Sequence, residues 1–406
     1  MLPFDVLPRI LTKDDWHTIE SGVKQRVAAL NMFLHDVYHA GHILKDKIVP
    51  AELVLKNPQY RAVMQDQHLR HDTYVHIAGT DIVRDADGTL LVLEDNCRTP
   101  SGVSYVVENR HLMMRAFPEL FTGTKVRQVS NYGQKLREAL AELAPDSVTD
   151  PNVALMSPGV FNSAYFEHVF LAREMGVPLV EGRDLSVEND RVYMKTTAGL
   201  VELHVIYRRV DDAFLDPKAF RPDSLLGVPG IMRAYKRGNV SITNAVGTGV
   251  ADDKAVYAYV PRIIKYYLGE DPILANVPTN ICAEGDGLKH TLDNLAELVV
   301  KPVDESGGYG VVIGPKASKG ELAACRRRLK AKPGKYISQP VVQLSVAPTL
   351  TDRGIEARHV DLRPFAVTGR DTWVLPGGLT RVALKRGSMI VNSSQGGGSK
   401  DTWVLQ

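Results

Sequence analysis

The chain of 406 residues is longer than a single hydrophobic core usually grows, which predicts two or three lobes with a cleft between them. An apolar fraction of 44%, a charged fraction of 24% and a formal net charge of +2 are ordinary for a globular protein and give no indication of nucleic acid or membrane as the main partner. The three cysteines are far apart and form no CxxC pair, which argues against a zinc site or a disulfide framework. Because the sequence shows no leader pattern and no run of about 18 apolar residues, we expect a cytoplasmic protein.

The N-terminal third combines a long helix with a hairpin. Apolar residues at helical spacing predict a helix over 13–40, with Thr12 as its N-cap and Gly41 as its stop. The segment 74–95 has two apolar or alternating runs around the turn sequence DADG at 85–88, which predicts a β-hairpin.

The middle and C-terminal parts alternate helix and strand patterns. Residues 153–210 give a strand, a helix that ends at Gly176 and further strands, which predicts a βαβ unit of Rossmann-like character. A short GGGS tract at 396–399 is the one low-complexity segment. The remaining predicted elements are helices at about 253–268, 289–298 and 320–331, with short glycine-containing strands from 299 onward.

The segment KPVDESGGYG at 301–310 lies between two apolar strands. A lysine at a strand end before a glycine-rich loop suits nucleotide phosphates, because small residues let backbone N–H groups approach the oxygens while the ammonium supplies a point charge. The segment is neither a Walker A loop nor a complete GxGxxG. A plain β-hairpin with a glycine-rich turn explains the same pattern equally well.

Acidic and amide side chains gather on the predicted hairpin. With the turn at 85–88, residue 81 faces residue 92, so Asp81, Glu94 and Asn96 project from one face of the sheet. Such oxygen ligands suit Mg²⁺, which proteins usually hold through one or two carboxylates together with phosphates. A solvated acidic strand face is the alternative, and the apolar residues around Glu94 favour the metal hypothesis.

Seven motifs between residues 94 and 405 together carry a family resemblance: LEDNCRTPSGVSYVVENR, RPDSLLGVPG, GTGVADDKAVYAYVP, KPVDESGGYG, RHVDLRPF, GGLTRVAL and VNSSQGGGSKDTWVL. In this order they resemble the circularly permuted ATP-grasp type 2 family, which is more distantly related to glutathionylspermidine synthase. Ordinary ATP-grasp proteins place the lysine and glycine-loop strands first and the metal-binding E-x-N strand last, whereas here E-x-N precedes both lysines. The resemblance implies a mixed α/β chain with a circularly permuted ATP-grasp fold and a Rossmann-like pre-ATP-grasp lobe.

The resemblance also implies how the chain is organised. Residues 1–150 would form a helical region plus the hairpin with the metal ligands, 151–235 a Rossmann-like substrate lobe, and 236–406 the lysine and glycine-loop lobe with the C-terminal strands. Family members usually carry a further N-terminal segment, so we expect this form to be shortened at its start. Relatives are commonly encoded beside a helical alpha-E domain protein, which makes such a protein an expected partner.

By the same resemblance, the site would bind ATP and Mg²⁺. Lys254 and Lys301 would contact the phosphates, and Gln339 would lie at the hinge where backbone groups bind adenine. The mobile covering loop would consist of Ser306, Gly307, Gly308, Tyr309 and Gly310. Asp81, Glu94 and Asn96 would hold Mg²⁺. Arg381 is our candidate, together with Lys301, for a catalytic role, because guanidinium can stabilise an acyl phosphate and a tetrahedral transition state.

Other polar residues are weaker candidates. Arg363 could equally be a salt-bridge partner of Asp361 or of another carboxylate, and for Arg358 a structural role has equal weight. Substrate contacts are expected from the βαβ region, whose loops open toward a cleft. The candidates there are Ser163, Tyr165, Glu167, His168, Arg208, Arg209, Asp211 and Asp212.

These features predict an ATP-dependent carboxylate–amine ligase that works through an acyl phosphate. Small-molecule or peptide carboxylates and amines would be its substrates, but the mixture of arginines and aspartates does not define them. Two alternatives stay open at this point: a phosphotransferase that stops after phosphorylating its acceptor, and a nucleotide-binding scaffold protein without catalysis.

Overall fold

A computed structural model describes residues 3–303, 310–389, 391 and 396–406. Its helices in this part of the chain are α1 (Lys13–Tyr38), α2 (His42–Lys45), α3 (Ala51–Leu55), α4 (Val103–Ala116), α5 (Pro118–Gly123), α6 (Tyr132–Ala141), α7 (Tyr165–Met175), α8 (Asp212–Leu215), α9 (Ile231–Lys236), α10 (Lys254–Leu268), α11 (Gly285–Asp293) and α12 (Lys319–Ala331).

Strands alternate with these helices and confirm a mixed α/β protein. They are β1 (Phe4–Leu11), β2 (Ile77–Arg84), β3 (Leu90–Asn96), β4 (Val153–Met156), β5 (Leu179–Val180), β6 (Leu185–Glu188), β7 (Arg191–Thr196), β8 (Gly199–Leu203), β9 (Val205–Arg208), β10 (Ser241–Thr243), β11 (Ala275–Asn276), β12 (Asn280–Ile281), β13 (Leu298–Pro302), β14 (Val312–Ile313), β15 (Tyr336–Pro340), β16 (Val346–Thr351), β17 (Gly354–Arg363), β18 (Phe365–Thr368), β19 (Thr372–Val374), β20 (Leu379–Val382) and β21 (Gly398–Val404).

Helix α1 confirms the long helix predicted near the N-terminus. The Thr12 hydroxyl accepts a hydrogen bond from the Asp15 backbone N–H at 3.1 Å, which satisfies one of the N–H groups that a helix start leaves open. Trp16, Ile19 and Val23 lie on the buried face of the helix. This face packs against α10 and against strands β18 and β19 of the large sheet. Helix α1 therefore packs against both α10 and the large sheet.

The largest sheet combines strands from both ends of the chain in the order β1-β21-β20-β17-β2-β18-β19. Strands β3 and β11 extend from β2, and β16 pairs with β17. The predicted hairpin is confirmed as β2 and β3, and it lies among the C-terminal strands. The glycine tract at 396–399 continues into the buried strand β21, because strand pairing on both sides shields its backbone. The low-complexity glycine tract is therefore not a linker.

A second sheet confirms the βαβ prediction. Its four strands run parallel in the order β10-β9-β4-β5, and helix α7 connects β4 to β5. Helix α7 ends at Gly176, whose φ of 64° suits a glycine at the helix stop. Strands β6, β7 and β8 form a separate antiparallel sheet beside it. The carboxyl ends of the parallel strands, where ligands bind in open α/β sheets, face the loop that follows β3.

The third sheet carries the lysine segment, in the order β12-β15-β13-β14. Helix α12 confirms the prediction at about 320–331, with a capping box between Ser318 and Glu321 at its start. The helix predicted over 289–298 was placed too late, since α11 spans Gly285–Asp293 and β13 begins soon afterwards. Two glycines in the first turn of α11 hid its start from propensity arguments.

Among the helices of the described residues, none combines the length and the apolar character that crossing a lipid bilayer would require.

A buried ion pair joins the first and last strands. Lys400 on β21 donates to the Asp5 carboxylate on β1 and also to the carbonyl oxygens of Leu7 at 3.1 Å and Pro348 at 2.8 Å. The two charged side chains are almost completely buried. Burial lowers the pKa of Lys400, against the opposing effect of Asp5. The Asp5 carboxylate is therefore the counter-charge that this buried ammonium needs.

We expect Asp5→Asn to lower the free energy of unfolding by about 3–5 kcal/mol, because removing one partner leaves the other charge buried and uncompensated. The midpoint of urea-induced unfolding measures the change. Glu138→Gln is the matched control, since Glu138 also pairs with a lysine, Lys135, but on the exposed surface of α6. It should leave the midpoint unchanged. Equal midpoints for Asp5→Asn and the wild type would contradict this role of Asp5.

Candidate functional site

Asp81 and Glu94 lie directly opposite each other on strands β2 and β3. The predicted register, with residue 81 facing residue 92, was wrong for two reasons. The turn is one residue longer than expected, so that Arg84 pairs with Leu90, and the register then shifts between Asp81 and Ile82. The two displacements still leave Asp81 and Glu94 on one face.

Asp81 is held by two arginines from the C-terminal strands. Its Oδ1 accepts from Arg363 Nε, and its Oδ2 accepts from Arg363 at 2.8 Å and from Arg381 at 2.6 Å. Burial alone would raise the pKa of Asp81, but the two guanidinium groups outweigh it and hold this pKa well below its usual range. The carboxylate is therefore ionised, and both of its oxygens are bound by arginine.

Arg381 is bound on both sides by carboxylates. It pairs directly with Asp361 across β20 and β17, and its Nε donates to Asp361 Oδ1 at 2.9 Å. Of the two partners considered for Arg363, its ion pair in the structure is with the other carboxylate, Asp81, while Asp361 pairs with Arg381. Arg358 lies apart from this group, with hydrogen bonds to Glu356 and to the backbone. The alternating chain Asp361, Arg381, Asp81, Arg363 forms one side of the site.

Two lysines from different elements face Glu94. Lys254 is the first residue of α10, and its Nζ lies 3.6 Å from Glu94 Oε2. Lys301 on β13 donates to Gln339 Oε1 at 2.6 Å, and Gln339 in turn donates to Thr279 Oγ1 at 2.8 Å. Gln339 therefore positions a lysine with its side chain, in addition to the predicted hinge contact of its backbone.

Electrostatic contacts tie Lys301 to the same group. Burial lowers the pKa of Lys301 to about 8, an effect that Glu94 and Asp81 oppose and that Lys254 reinforces. Glu94 also lies 3.8 Å from Arg363. Three basic side chains thus surround one half-buried carboxylate, and the excess of positive charge suits an anionic ligand.

The structure describes only some of the other residues that were predicted to bind the metal or the phosphates. Asn96 ends β3 and donates its side-chain N–H to the Gly79 carbonyl at 3.1 Å, which leaves Oδ1 as the atom of the amide that can accept or coordinate. Ser306, Gly307, Gly308 and Tyr309 lie outside the described residues. Gly310 is described and has a φ of 70°, a conformation that suits glycine.

Most of the predicted substrate residues are engaged in the interior. Glu167 accepts from the backbone of Gly102 and Ser104 at the start of α4, and it pairs with Arg209. Arg208 pairs with Asp212, with both side chains buried. Glu167 and Arg209 thereby join the parallel sheet and its helix α7 to the segment after β3.

His168, another residue predicted to contact the substrate, is also buried in the interior. Its Nδ1 lies 2.8 Å from Ser157 Oγ, and burial lowers its pKa to about 3. A buried neutral histidine of this kind supports packing more readily than proton transfer.

Arg98 and Asp252 are neighbours of the site that residue-by-residue reasoning did not single out. The Arg98 Nε donates to Asp252 Oδ2 at 2.6 Å, which ties the end of β3 to the loop before Lys254. The available signal was that Arg98 lies just after the E-x-N segment and that Asp252 is the first residue of the DDK segment. A further buried pair, Arg26 with Asp95, anchors β3 to α1 from the opposite face.

This arrangement of hairpin, lysines and C-terminal arginines agrees with a comparison with known families. The family model described as circularly permuted ATP-grasp type 2 matches residues 8–383. The chain belongs to this family. Its E-x-N strand precedes both lysines in sequence, yet the fold brings all of them to one site.

Several relatives match almost the whole chain. An uncharacterized protein of Synechocystis is 52% identical over 407 residues, which is 100% of this chain and 85% of that protein. An uncharacterized protein of Mycobacterium tuberculosis is 52% identical over 404 residues, or 99% of this chain and 73% of that protein. A Frankia casuarinae protein, named provisionally glutamate–cysteine ligase 2-2, is 47% identical over 408 residues, which cover 99% of this chain and 47% of that protein.

A solved structure supports the fold. The glutathione synthetase-like effector of Globodera pallida, in its apo form, superimposes with a TM-score of 0.61 at 10% sequence identity, covering 100% of this chain and 91% of that one. This similarity concerns the arrangement of helices and sheets in space.

We expect the affinity for Mg-ATP to fall as the pH rises through about 8, because the folded pKa of Lys301 is lowered and the free protein then loses the Lys301 charge that phosphates need. Above that pH the dissociation constant should rise by up to about tenfold per pH unit. Calorimetric titrations from about pH 7.5 to about pH 9.5 measure it.

Lys301→Arg is the matched control, since guanidinium stays protonated over the whole range. Its affinity should be independent of pH even if it is weaker at neutral pH. A wild-type affinity that does not change between these pH values would mean that Lys301 does not contact the phosphates.

Proposed function

We propose that this protein is an ATP-dependent carboxylate–amine ligase that forms an amide or peptide-like bond through an acyl-phosphate intermediate. Its family and its relatives support an ATP-dependent ligase in general. The observation that carries the finer proposal is the convergence of Lys254 and Lys301 with the ion-paired arginines around Glu94.

The basic side chains suit the phosphates of ATP. Phosphoryl transfer depends on positioning and on neutralising charge more than on covalent help from a protein. In the proposal, Lys254 and Lys301 bind phosphate oxygens, and Gln339 holds the Lys301 ammonium in place. Helix α10 begins at Lys254, so its N-terminal dipole adds positive potential at the same position.

The oxygen donors present fit Mg²⁺ in part. Glu94 is half-buried, and Asn96 has its Oδ1 available, so these two would hold the ion. Both oxygens of Asp81 are bound by arginine, so Asp81 fits better as the residue that orients Arg363 and Arg381. Within the described residues, no group of three or more His, Cys, Asp or Glu side chains could hold a metal ion, which is consistent with an ion that depends on phosphates for further ligands. When bound, Mg²⁺ would neutralise charge on the phosphates.

The proposed reaction has two steps. An oxygen of the substrate carboxylate attacks the γ-phosphorus of ATP, the bond to the bridging oxygen breaks, and ADP leaves. The amine then attacks the acyl carbon, the bond to the phosphate oxygen breaks, and phosphate leaves while the nitrogen loses a proton. In the proposal, Arg363 and Arg381 stabilise the negative charge in both steps, where losing one such donor typically costs about 2.7–4 kcal/mol.

Mg-ATP should stabilise the wild type against thermal unfolding, by about 2.7 kcal/mol when present at about 100 times its dissociation constant. Glu94→Gln should weaken this magnesium-dependent shift and abolish ADP release, because it removes the charge that faces the site. The Glu94→Gln variant should still fold, because the Glu94 carboxylate lies 3.6 Å or more from its basic neighbours Lys254 and Arg363.

Glu297→Gln is the control for this experiment, because Glu297 is an exposed glutamate in the loop just before β13. Mg-ATP should stabilise the Glu297→Gln variant against thermal unfolding by as much as it stabilises the wild type. A folded wild type with no shift would favour a scaffold without nucleotide binding, and full ADP release by Glu94→Gln would remove Glu94 from the site.

Oxygen-18 in the substrate carboxylate should appear in the released phosphate, one atom per turnover, if an acyl phosphate forms. L-glutamate and L-cysteine are the first pair to test, because the name of the Frankia relative includes them. Mass spectrometry of the phosphate reads the label. Release of AMP with labelled oxygen would indicate an acyl adenylate, and a phosphorylated product without any need for an amine would indicate a phosphotransferase.

A further inference from the structure

Beside the phosphate-binding region, four segments of chain converge on a group of half-buried polar side chains. The group, called here the Arg98 cluster, consists of Gln59, Arg61, Arg98, Asp211 and Asp252. They come from the loop after α3, the end of β3, the start of α8 and the loop before α10. No part of the proposed phosphate chemistry uses them.

The contacts of Arg98 hold this cluster together. Its Nε donates to Asp252 Oδ2 at 2.6 Å, and its Nη1 donates to Asp211 Oδ2 at 3.1 Å. Arg61 lies on the adjoining side, where its Nε pairs with the buried Asp212 at 3.3 Å and its Nη2 lies 3.5 Å from Gln59 Oε1. Arg98 thus pairs with the two half-buried carboxylates, and Arg61 pairs with the carboxylate of the next residue, Asp212.

The cluster adjoins the reacting region through the chain itself. Arg98 follows Asn96 by two residues, and Asp252 precedes Lys254 by two. Gly249 packs tightly beside it, because a Cβ there would lie 2.8 Å from Gln59 Cβ and 2.9 Å from Arg98 Cδ. The absence of a side chain at Gly249 therefore lets the loop before α10 close against the cluster.

The side chains of the Arg98 cluster are more exposed to solvent than the other charged side chains of the parallel sheet. The side chains of Arg98 and Asp211 are 28% and 39% exposed, whereas those of Arg208 and Asp212 are each 1% exposed. Among the substrate candidates near β9, Asp211 is therefore the charged residue that a ligand can reach.

The Arg98 cluster contains both acidic and basic side chains, and this mixture limits the kinds of ligand that can bind to it. A simple anion would meet the carboxylates of Asp211 and Asp252, and a simple cation would meet Arg61 and Arg98. A zwitterion satisfies both signs, since guanidinium pairs well with a carboxylate and a carboxylate with an ammonium. Such a head group occurs in every free α-amino acid.

We propose that the Arg98 cluster binds the zwitterionic head of an α-amino acid substrate, with its carboxylate on the guanidinium groups and its ammonium on Asp211. This inference rests on the proposed ligase function and specifies its substrate class. The rest of the bound molecule then extends toward Lys254 and Lys301. Asp211 and Arg98 are accordingly specificity-determining residues.

The test uses the full chain saturated with Mg-AMP-PNP, titrated calorimetrically with each of the twenty standard amino acids. At least one should bind, and its analogue with hydrogen in place of the α-ammonium should bind about tenfold more weakly or worse, because the charge-assisted hydrogen bond to Asp211 is lost. Asp211→Asn should weaken the amino acid by a similar factor, reduce the discrimination against the analogue and leave the affinity for Mg-AMP-PNP unchanged.

Asp211→Asn retains a side-chain oxygen for the hydrogen bond from the Ala213 N–H, so the start of α8 is preserved. Asp223→Asn is the control, since Asp223 also pairs with an arginine but on the exposed surface, and it should bind as the wild type does.

Three results would overturn the inference. They are an absence of binding by all twenty amino acids to nucleotide-loaded protein, equal affinity in Asp211→Asn and the wild type, and equal binding of the analogue without its ammonium. Mg-AMP-PNP is titrated first, so its failure to bind would be seen separately. That failure would overturn the ligase proposal together with this inference.

Discussion

The structure depends on one line of alternating charges through the large sheet. It runs from Asp361 to Arg381, Asp81 and Arg363, and it ends at Glu94 beside the two lysines. Each charge in the sheet is compensated by its neighbour, which is the condition under which ionised groups can stay buried. Because the members come from β17, β20, β2 and β3, the same contacts that hold the strands together also orient the arginines of the site.

The line continues at its far end into the first strand. Arg9 on β1 donates to the backbone carbonyl of Asp361 at 3.0 Å. The buried pair of Lys400 and Asp5 lies between the same strand and β21. Strand β1 thus contacts both the sheet edge, through Asp5, and the line of charges, through Arg9.

Local patterns in the sequence were sufficient for helices α1, α7, α10 and α12, the hairpin and the βαβ unit, whereas α11 was placed too late and α4 and α6 were not predicted. Helix α1 carries its own cap and periodicity, and α7 carries its own stop. The faces of Asp81 and Glu94 followed from strand alternation, but their register did not, because the longer turn and the irregularity at Ile82 have no distinct sequence mark. Strand β1 was missed for a similar reason, since Pro8 interrupts it and its partner lies at the other end of the chain.

Local sequence patterns could not predict which charged residues of the site form ion pairs with each other. Arg363 and Asp81 are 282 residues apart, and Arg381 and Asp81 are 300 residues apart. No periodicity links residues at that separation, and their mutual neutralisation is a property of the folded sheet. Sequence patterns and the family resemblance together supplied most residues of the site, whereas the division between Asp81 as an orienting group and Glu94 as a half-buried, accessible one required coordinates.

Strand β21 lies between β1 and β20, and this has a consequence for folding during synthesis. The inner edge of β1 and the outer edge of β20 have no strand between them until residues 398–404 have left the ribosome. Both edges present unpaired backbone groups until then, and contacts of such long range form slowly. The large sheet is therefore completed only after translation has passed β21, and with it the line of charges gains its anchor on β1.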